Sequence, residues 1–108
     1  MDKEKFKIVF EFIEKIYEVE VSEGEIGAGY IYSTMSAQYD EPLNNPVFKD
    51  IANNMSRDEV ESLLIEKGLP FQCDGCEYRL LLSPDSRCLE IYDEDGSFVE
   101  RSDFMIIK

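Results

Sequence analysis

Residues 56–70 read Ser56-Arg57-Asp58-Glu59-Val60-Glu61-Ser62-Leu63-Leu64-Ile65-Glu66-Lys67-Gly68-Leu69-Pro70, and they carry the marks of a helix with both ends specified. Ser56 is an N-cap, and Glu59 three residues later completes a capping box, each side chain satisfying a backbone N–H of the other. Val60, Leu63 and Leu64 recur at helical spacing and form the buried stripe. Gly68 permits the left-handed backbone that ends a helix, and Pro70 forbids its continuation. On the N-terminal side, Val47, Phe48 and Ile51 mark one face of a shorter helix. It begins near Pro46, a residue that suits a first helical turn.

Beyond Phe71 the pattern changes to strands. Tyr78 to Leu82 is an apolar run, and Ser83-Pro84-Asp85-Ser86 is a turn. Cys88 to Tyr92 is a strand with Leu89 and Ile91 on one face, and Asp93-Glu94-Asp95-Gly96 is a tight turn. A last strand takes in Phe98 and Val99 and extends toward Phe104 to Ile107. Two helices and then an antiparallel meander account for the second half.

The first half has a less uniform period. Phe6, Val9, Phe10, Ile13, Ile16 and Tyr17 predict an amphipathic helix over residues 3–17, although Lys5-Phe6-Lys7-Ile8 also alternates like a strand. From Tyr17, Val19 and Val21 alternate with Glu18 and Glu20, which predicts a half-buried strand. The turn-like Ser22-Glu23-Gly24-Glu25 and a strand-like run from Ile26 to Thr34 then suggest a hairpin. Residues 36–46, with two prolines and two asparagines, read as a loop. The expected fold class is α+β: an N-terminal helix and hairpin, two short helices, then an antiparallel β-meander. With 108 residues and no repeat, low-complexity tract or long linker, one domain over 1–108 is expected.

Absence of histidine narrows the chemistry more than any residue present. It removes the commonest general base near neutral pH and the commonest metal ligand, and with them Ser-His-Asp and Cys-His schemes. Cys73-Asp74-Gly75-Cys76 invites a redox or zinc reading. A closed zinc site needs four ligands, and only Cys88 remains. A redox pair of the thioredoxin kind sits at a helix N-terminus, whereas this one precedes a strand, with Asp74 and Glu77 disfavouring thiolate. Thiols in a turn are the plainer reading. Setting Gly96 at the sixth position of a calcium loop puts Ile91 and Ser102 where carboxylates are required. Gly24, Gly27 and Gly29 do not match a dinucleotide fingerprint. No catalytic residue, cofactor or metal is expected.

The charge balance points to partners. Eleven basic residues face 24 acidic ones, a net charge of −13, which repels nucleic acid and anionic lipid and attracts basic proteins. Acidity that serves solubility alone is the competing reading. Between Lys15 and Lys49 there is no basic residue, and Glu18, Glu20, Glu23, Glu25, Asp40 and Glu41 fall there. A second base-free stretch, Cys88 to Glu100, holds Glu90, Asp93, Glu94, Asp95 and Glu100. If the two adjoin, they form a carboxylate face in which Tyr30, Tyr32 and Tyr39 serve as anchors. No secretory signal and no membrane-spanning stretch is visible, and three cysteines fit a disulfide framework poorly, so a cytoplasmic protein is expected.

Asn54-Met55-Ser56, Glu59-Val60 with Leu63-Leu64, Gly68-Leu69-Pro70, Tyr78, and Leu89-Glu90-Ile91 before Asp93 to Gly96 form an ordered set. Over residues 48–99 this set resembles β-lactamase inhibitor protein and the related small outer-membrane assembly lipoproteins. Those share a helix, a Gly-Met-Thr-like junction, a second helix with a Gly-x-Pro-like stop, and a meander ending in an Asp-x-x-Gly-like turn. Asn54 replaces the usual glycine, and the lipid-attachment cysteine has no counterpart. The resemblance implies a non-enzymatic platform for binding another protein. Together with the charge, it leads to an expected inhibitor or immunity-type protein that masks a basic surface of a toxin, nuclease or nucleic-acid-binding protein. An adaptor with an apolar interface and a Cys-dependent redox or zinc protein are the alternatives, and the oligomeric state is open.

Overall fold

The computed structural model describes residues 2–22, 28–38 and 42–106, with the side chains of the first helix described from residue 4 to 18. Among the described residues four helices come first: α1 (Asp2–Ser22), α2 (Ala28–Ser36), α3 (Pro46–Asn54) and α4 (Arg57–Glu66). Four strands come after them: β1 (Leu69–Cys73), β2 (Cys76–Leu82), β3 (Cys88–Asp93) and β4 (Phe98–Met105). The strands form one antiparallel sheet in the order β1-β2-β3-β4, so the chain is α+β and its second half is a meander.

The local signals between Pro46 and Pro70 act as their chemistry requires. Asn45 caps α3, accepting from the Val47 N–H at 2.9 Å while its amide donates to the Pro70 carbonyl at 3.0 Å. Both halves of the Ser56–Glu59 capping box are present. Gly68 has φ +79, and its N–H and that of Lys67 both donate to the Leu63 carbonyl. Arg79 completes this end by donating to the Lys67 carbonyl at 2.7 Å, a cation at a helix C-terminus. Pro70 lies on an edge strand, where a residue without an N–H costs no ladder bond.

The first half departs from the expected hairpin. Residues 17–21 continue α1 to Ser22, and the run expected as a strand over 26–34 is helix α2 from Ala28. Extending a helix that already exists adds one hydrogen bond per residue ordered and requires no new nucleus. A five-residue alternation therefore does not stop it, and Tyr17 is buried on the same side as Ile13 and Ile16. In α2, Ala28, Ile31, Tyr32 and Met35 stand at i, i+3, i+4 and i+7, and all four pack on the core. That apolar stripe outweighs the β-preference of Tyr30, Ile31, Tyr32 and Thr34. Residues 23–27 and 39–41, where the expected turn and part of the loop fall, lie outside the described residues.

α1 is buried on more than one side. Phe6, Val9, Phe10, Ile13 and Ile16 form the expected stripe, and Phe12 is fully buried as well. A chain of edge-on rings shows why. Phe12 meets Tyr32 of α2 at 5.9 Å and Phe48 of α3 at 5.6 Å; Phe48 meets Phe71 of β1 at 6.2 Å; and Phe71 meets Phe6 at 6.1 Å. α1 is thus wedged between the sheet and the α2–α3 pair. Offset and edge-on rings of this kind add about 0.5–1.5 kcal/mol per pair beyond the area they bury.

Candidate interaction surface on the open face of the sheet

Directly opposed residues of an antiparallel ladder point to the same face, so the register sorts the sheet into two sides. Leu69, Phe71, Leu80, Leu82, Leu89, Ile91 and Ser102 point inward and are buried, with α4 over β2 and α1 over β4. The other face carries Gln72, Glu77, Arg79 and Leu81, then Cys88, Glu90 and Tyr92, then Phe98, Arg101 and Met105. None of these is buried. Phe98 is 54% exposed and Met105 55% exposed.

β4 reaches this arrangement through irregular pairing. Cys88 opposes Met105, Glu90 opposes Arg101, Ile91 opposes Glu100, and Tyr92 opposes Phe98, so the register shifts twice. Each shift inserts residues on the β4 side. The shift between Ile91 and Tyr92 places Phe98 on the same side as Arg101 although they are three residues apart, and Met105, four residues beyond Arg101, shares that side by ordinary alternation. At the centre, Tyr92 and Phe98 meet edge-on at 5.8 Å. The Tyr92 hydroxyl donates to Glu90 at 3.2 Å, and Arg101 pairs with the same carboxylate at 3.2 Å. Partial burial and the neighbouring Glu90 both hold the Tyr92 phenol above its ordinary pKa, so it remains a neutral donor.

An acidic turn borders this face. Asp93 is the turn former: its carboxylate accepts from the N–H groups of Asp95 and Ser97 at 2.9 Å, and Gly96 closes the turn at φ +86. Glu94 and Asp95 stay exposed. Of the expected anchors on α2, Tyr30 is 61% exposed, whereas Tyr32 packs on Phe12 and belongs to the core. Glu18 is exposed near the far end of α1. Its neighbour Tyr17 lies under Arg57, the guanidinium 4.8 Å from the ring. Lys5, at the opposite end of α1, bonds Tyr78, which pairs with Asp93. About 20 Å of helix therefore separates Glu18 from the level of the acidic turn. The side chains of Glu20, Glu23, Glu25, Tyr39, Asp40 and Glu41 lie outside the described residues.

Sequence reasoning missed Tyr92, Arg101, Met105 and the orientation of Phe98 as one surface. The one signal for it was negative: residues 98–105 break the two-residue alternation, as a bulged strand does. The same reasoning also passed over a cleft of about 330 Å³ between α1 and β4, lined by Glu4, Lys7, Phe10, Glu11, Glu14, Ser102, Asp103 and Phe104. Partial burial, with Glu11 and Glu18 beside it, pushes the Glu14 carboxyl up to about 7, against a weaker downward pull from Lys15. That carboxyl can hold a proton near neutral pH. Among the described residues, no group of three His, Cys, Asp or Glu is placed to hold a metal ion. No described helix is long and apolar enough to cross a membrane. No protein-family model, curated protein or solved structure matches the chain.

Proposed function

We propose that this chain is a non-catalytic protein-binding protein that docks a basic partner on the open face of its sheet. The observation that carries this reading is the exposed Phe98, edge-on to Tyr92, with an exposed Met105 at the Cys88 end of the same uncovered face. Aromatic residues, Met and Arg are the types that supply most binding energy at protein interfaces. The exposed Glu94 and Asp95 at its border and the net charge of −13 would steer a cationic partner toward it. Such a protein would act by covering the partner's positive surface, as an inhibitor or immunity-type protein does to a toxin, nuclease or nucleic-acid-binding protein. The resemblance of residues 48–99 to β-lactamase inhibitor protein supports a binding platform built on the same order of helix, junction, helix and meander.

Phe98 and Met105 also favour a second reading, an adaptor whose interface is mainly apolar. Salt separates the two, because screening weakens steering between exposed charges and leaves buried apolar contacts in place. The test is binding of the purified chain to partners captured from its native lysate, compared with Phe98→Asp and with Glu94→Gln/Asp95→Gln. Loss of binding with Phe98→Asp, together with a slower association for the charge variant, supports a basic partner on this face. Binding unaffected by Phe98→Asp refutes the assignment of the face.

A further inference from the structure

The Cys73–Cys76 segment, read from sequence as thiols in a turn, has a geometry that its spacing alone did not disclose. Cys73 ends β1 and Cys76 begins β2, and the two are directly opposed in the ladder. Asp74 and Gly75 between them have φ +54 and +78, the two left-handed residues of the tightest hairpin turn. Both thiols therefore project from the same side of the sheet. The Cα spacing of opposed antiparallel residues, about 4.5–5.5 Å, falls inside the window of about 4.4–6.8 Å that a disulfide spans. Cys88 takes no part, because it points to the other face, opposite Met105.

The two thiols differ in access. Cys76 is exposed, whereas Cys73 is 5% exposed and its S–H donates to the Lys5 carbonyl at 3.9 Å. From sequence, the neighbouring Asp74 and Glu77 argue against thiolate. The fold adds a cation that sequence distance concealed. Lys5, 68 residues away from Cys73, brings its ammonium to 3.5 Å from the Asp74 carboxylate and 3.0 Å from the Tyr78 hydroxyl. An ammonium at this corner offsets the carboxylate charge beside the two thiols.

We propose that Cys73 and Cys76 are a reversible thiol–disulfide pair, with Cys76 reacting first with a small-molecule disulfide and Cys73 resolving the adduct. In the first step the Cys76 thiolate attacks glutathione disulfide, forms the Cys76–glutathione bond and releases one glutathione thiolate. In the second step the Cys73 thiolate attacks the Cys76 sulfur, forms the Cys73–Cys76 bond and releases the second glutathione. Two protein thiols are oxidised and one glutathione disulfide is reduced to two thiols. The closed loop is only four residues long, so it gains little chain entropy. The bond is accordingly a readily reversed modification and not a structural staple.

The test is equilibration of the full chain carrying Cys88→Ser with glutathione disulfide and glutathione at a series of ratios, then alkylation and intact mass. The expected result is joint loss of both alkylatable thiols with the mass of two hydrogens removed and no glutathione retained, restored by excess reduced glutathione. In Cys73→Ser, a stable glutathione adduct at Cys76 is expected, and in Cys76→Ser the buried Cys73 stays reduced. A glutathione adduct that persists on Cys76 while Cys73 is present overturns the proposal. So does a chain that keeps both thiols at every ratio. The decisive comparison needs neither hairpin variant to fold.

Discussion

Replacing Glu14 by glutamine removes one ionisation from the α1–β4 cleft and changes little else in shape. The carboxyl is pushed from its ordinary 4.5 up to about 7, first by partial burial and then by Glu11 and Glu18, against an opposing pull from Lys15. From β4, Asp103 lines the same cleft, with Glu4 and Lys7 on α1. Because the folded pKa is raised, the folded chain holds a proton that the unfolded chain has released between about pH 4.5 and 7. Folding takes up that proton, so stability falls as pH rises through this window. Below it both states are protonated and the effect vanishes; above it the full cost is present. At 1.36 kcal/mol per pH unit the ceiling is about 3.4 kcal/mol. Glu14 borders an open cleft and is only half-buried, so screening reduces this to about 1–2 kcal/mol. Urea unfolding of both proteins at pH 4.5, 6 and 8 measures it. Glu14→Gln should match the parent at pH 4.5 and exceed it by about 1–2 kcal/mol at pH 8. Parallel stability curves, or a variant less stable at pH 8, would refute the reasoning.

Other substitutions test other parts of the fold. Phe48→Ala removes the ring that joins Phe12 to Phe71 and should cost about 3–5 kcal/mol, read as a lower urea midpoint at unchanged slope. Gly68→Ala forces a side chain into φ +79 and against Arg79, whose Cγ would lie 2.7 Å from the new Cβ. It should destabilise by about 1–2 kcal/mol by the same assay. Ser56→Ala deletes one half of the capping box and should cost about 1 kcal/mol. Glu61 and Arg87 form an ion pair whose side chains are 13% and 19% exposed. Arg87 also donates to the Ile106 carbonyl. Removing either partner should cost about 2–3 kcal/mol, and a double-mutant cycle should show that the two losses do not add.

How much of the fold is legible in the sequence depends on how far each signal reaches. Ser56, Glu59, Gly68 and Pro70 act on backbone groups within a few residues, so α4 and both its ends can be read from residues 56–70 alone. Tight turns at Asp93–Gly96 and after Leu82 act equally locally, and they divide the second half into the strands of the meander. α2 reads wrongly as a strand because Tyr30, Ile31, Tyr32 and Thr34 prefer strands individually, while the stripe Ala28, Ile31, Tyr32, Met35 expresses a preference only against α1 and α3. Residues 17–21 read wrongly because their alternation is local and the helix that overrides it begins fifteen residues earlier. The open face is illegible because a one-residue register shift in β4 decides that Phe98 points to the same side as Arg101 and Met105. Lys5 beside Cys73 and Asp74 is a contact across most of the chain, and nothing near the cysteines announces it.

Whether the open face of the sheet binds a basic protein is tested most directly by affinity capture from the native lysate at about 50 mM and about 500 mM salt. These concentrations correspond to Debye lengths of roughly 14 and 4 Å. The parent chain and a Phe98→Asp/Met105→Asp variant are compared side by side. We expect a stoichiometric basic partner on the parent at low salt, shed at high salt, and missing from the variant at both. The same proteins held equally by parent and variant would contradict the account, since charge alone would then explain the binding.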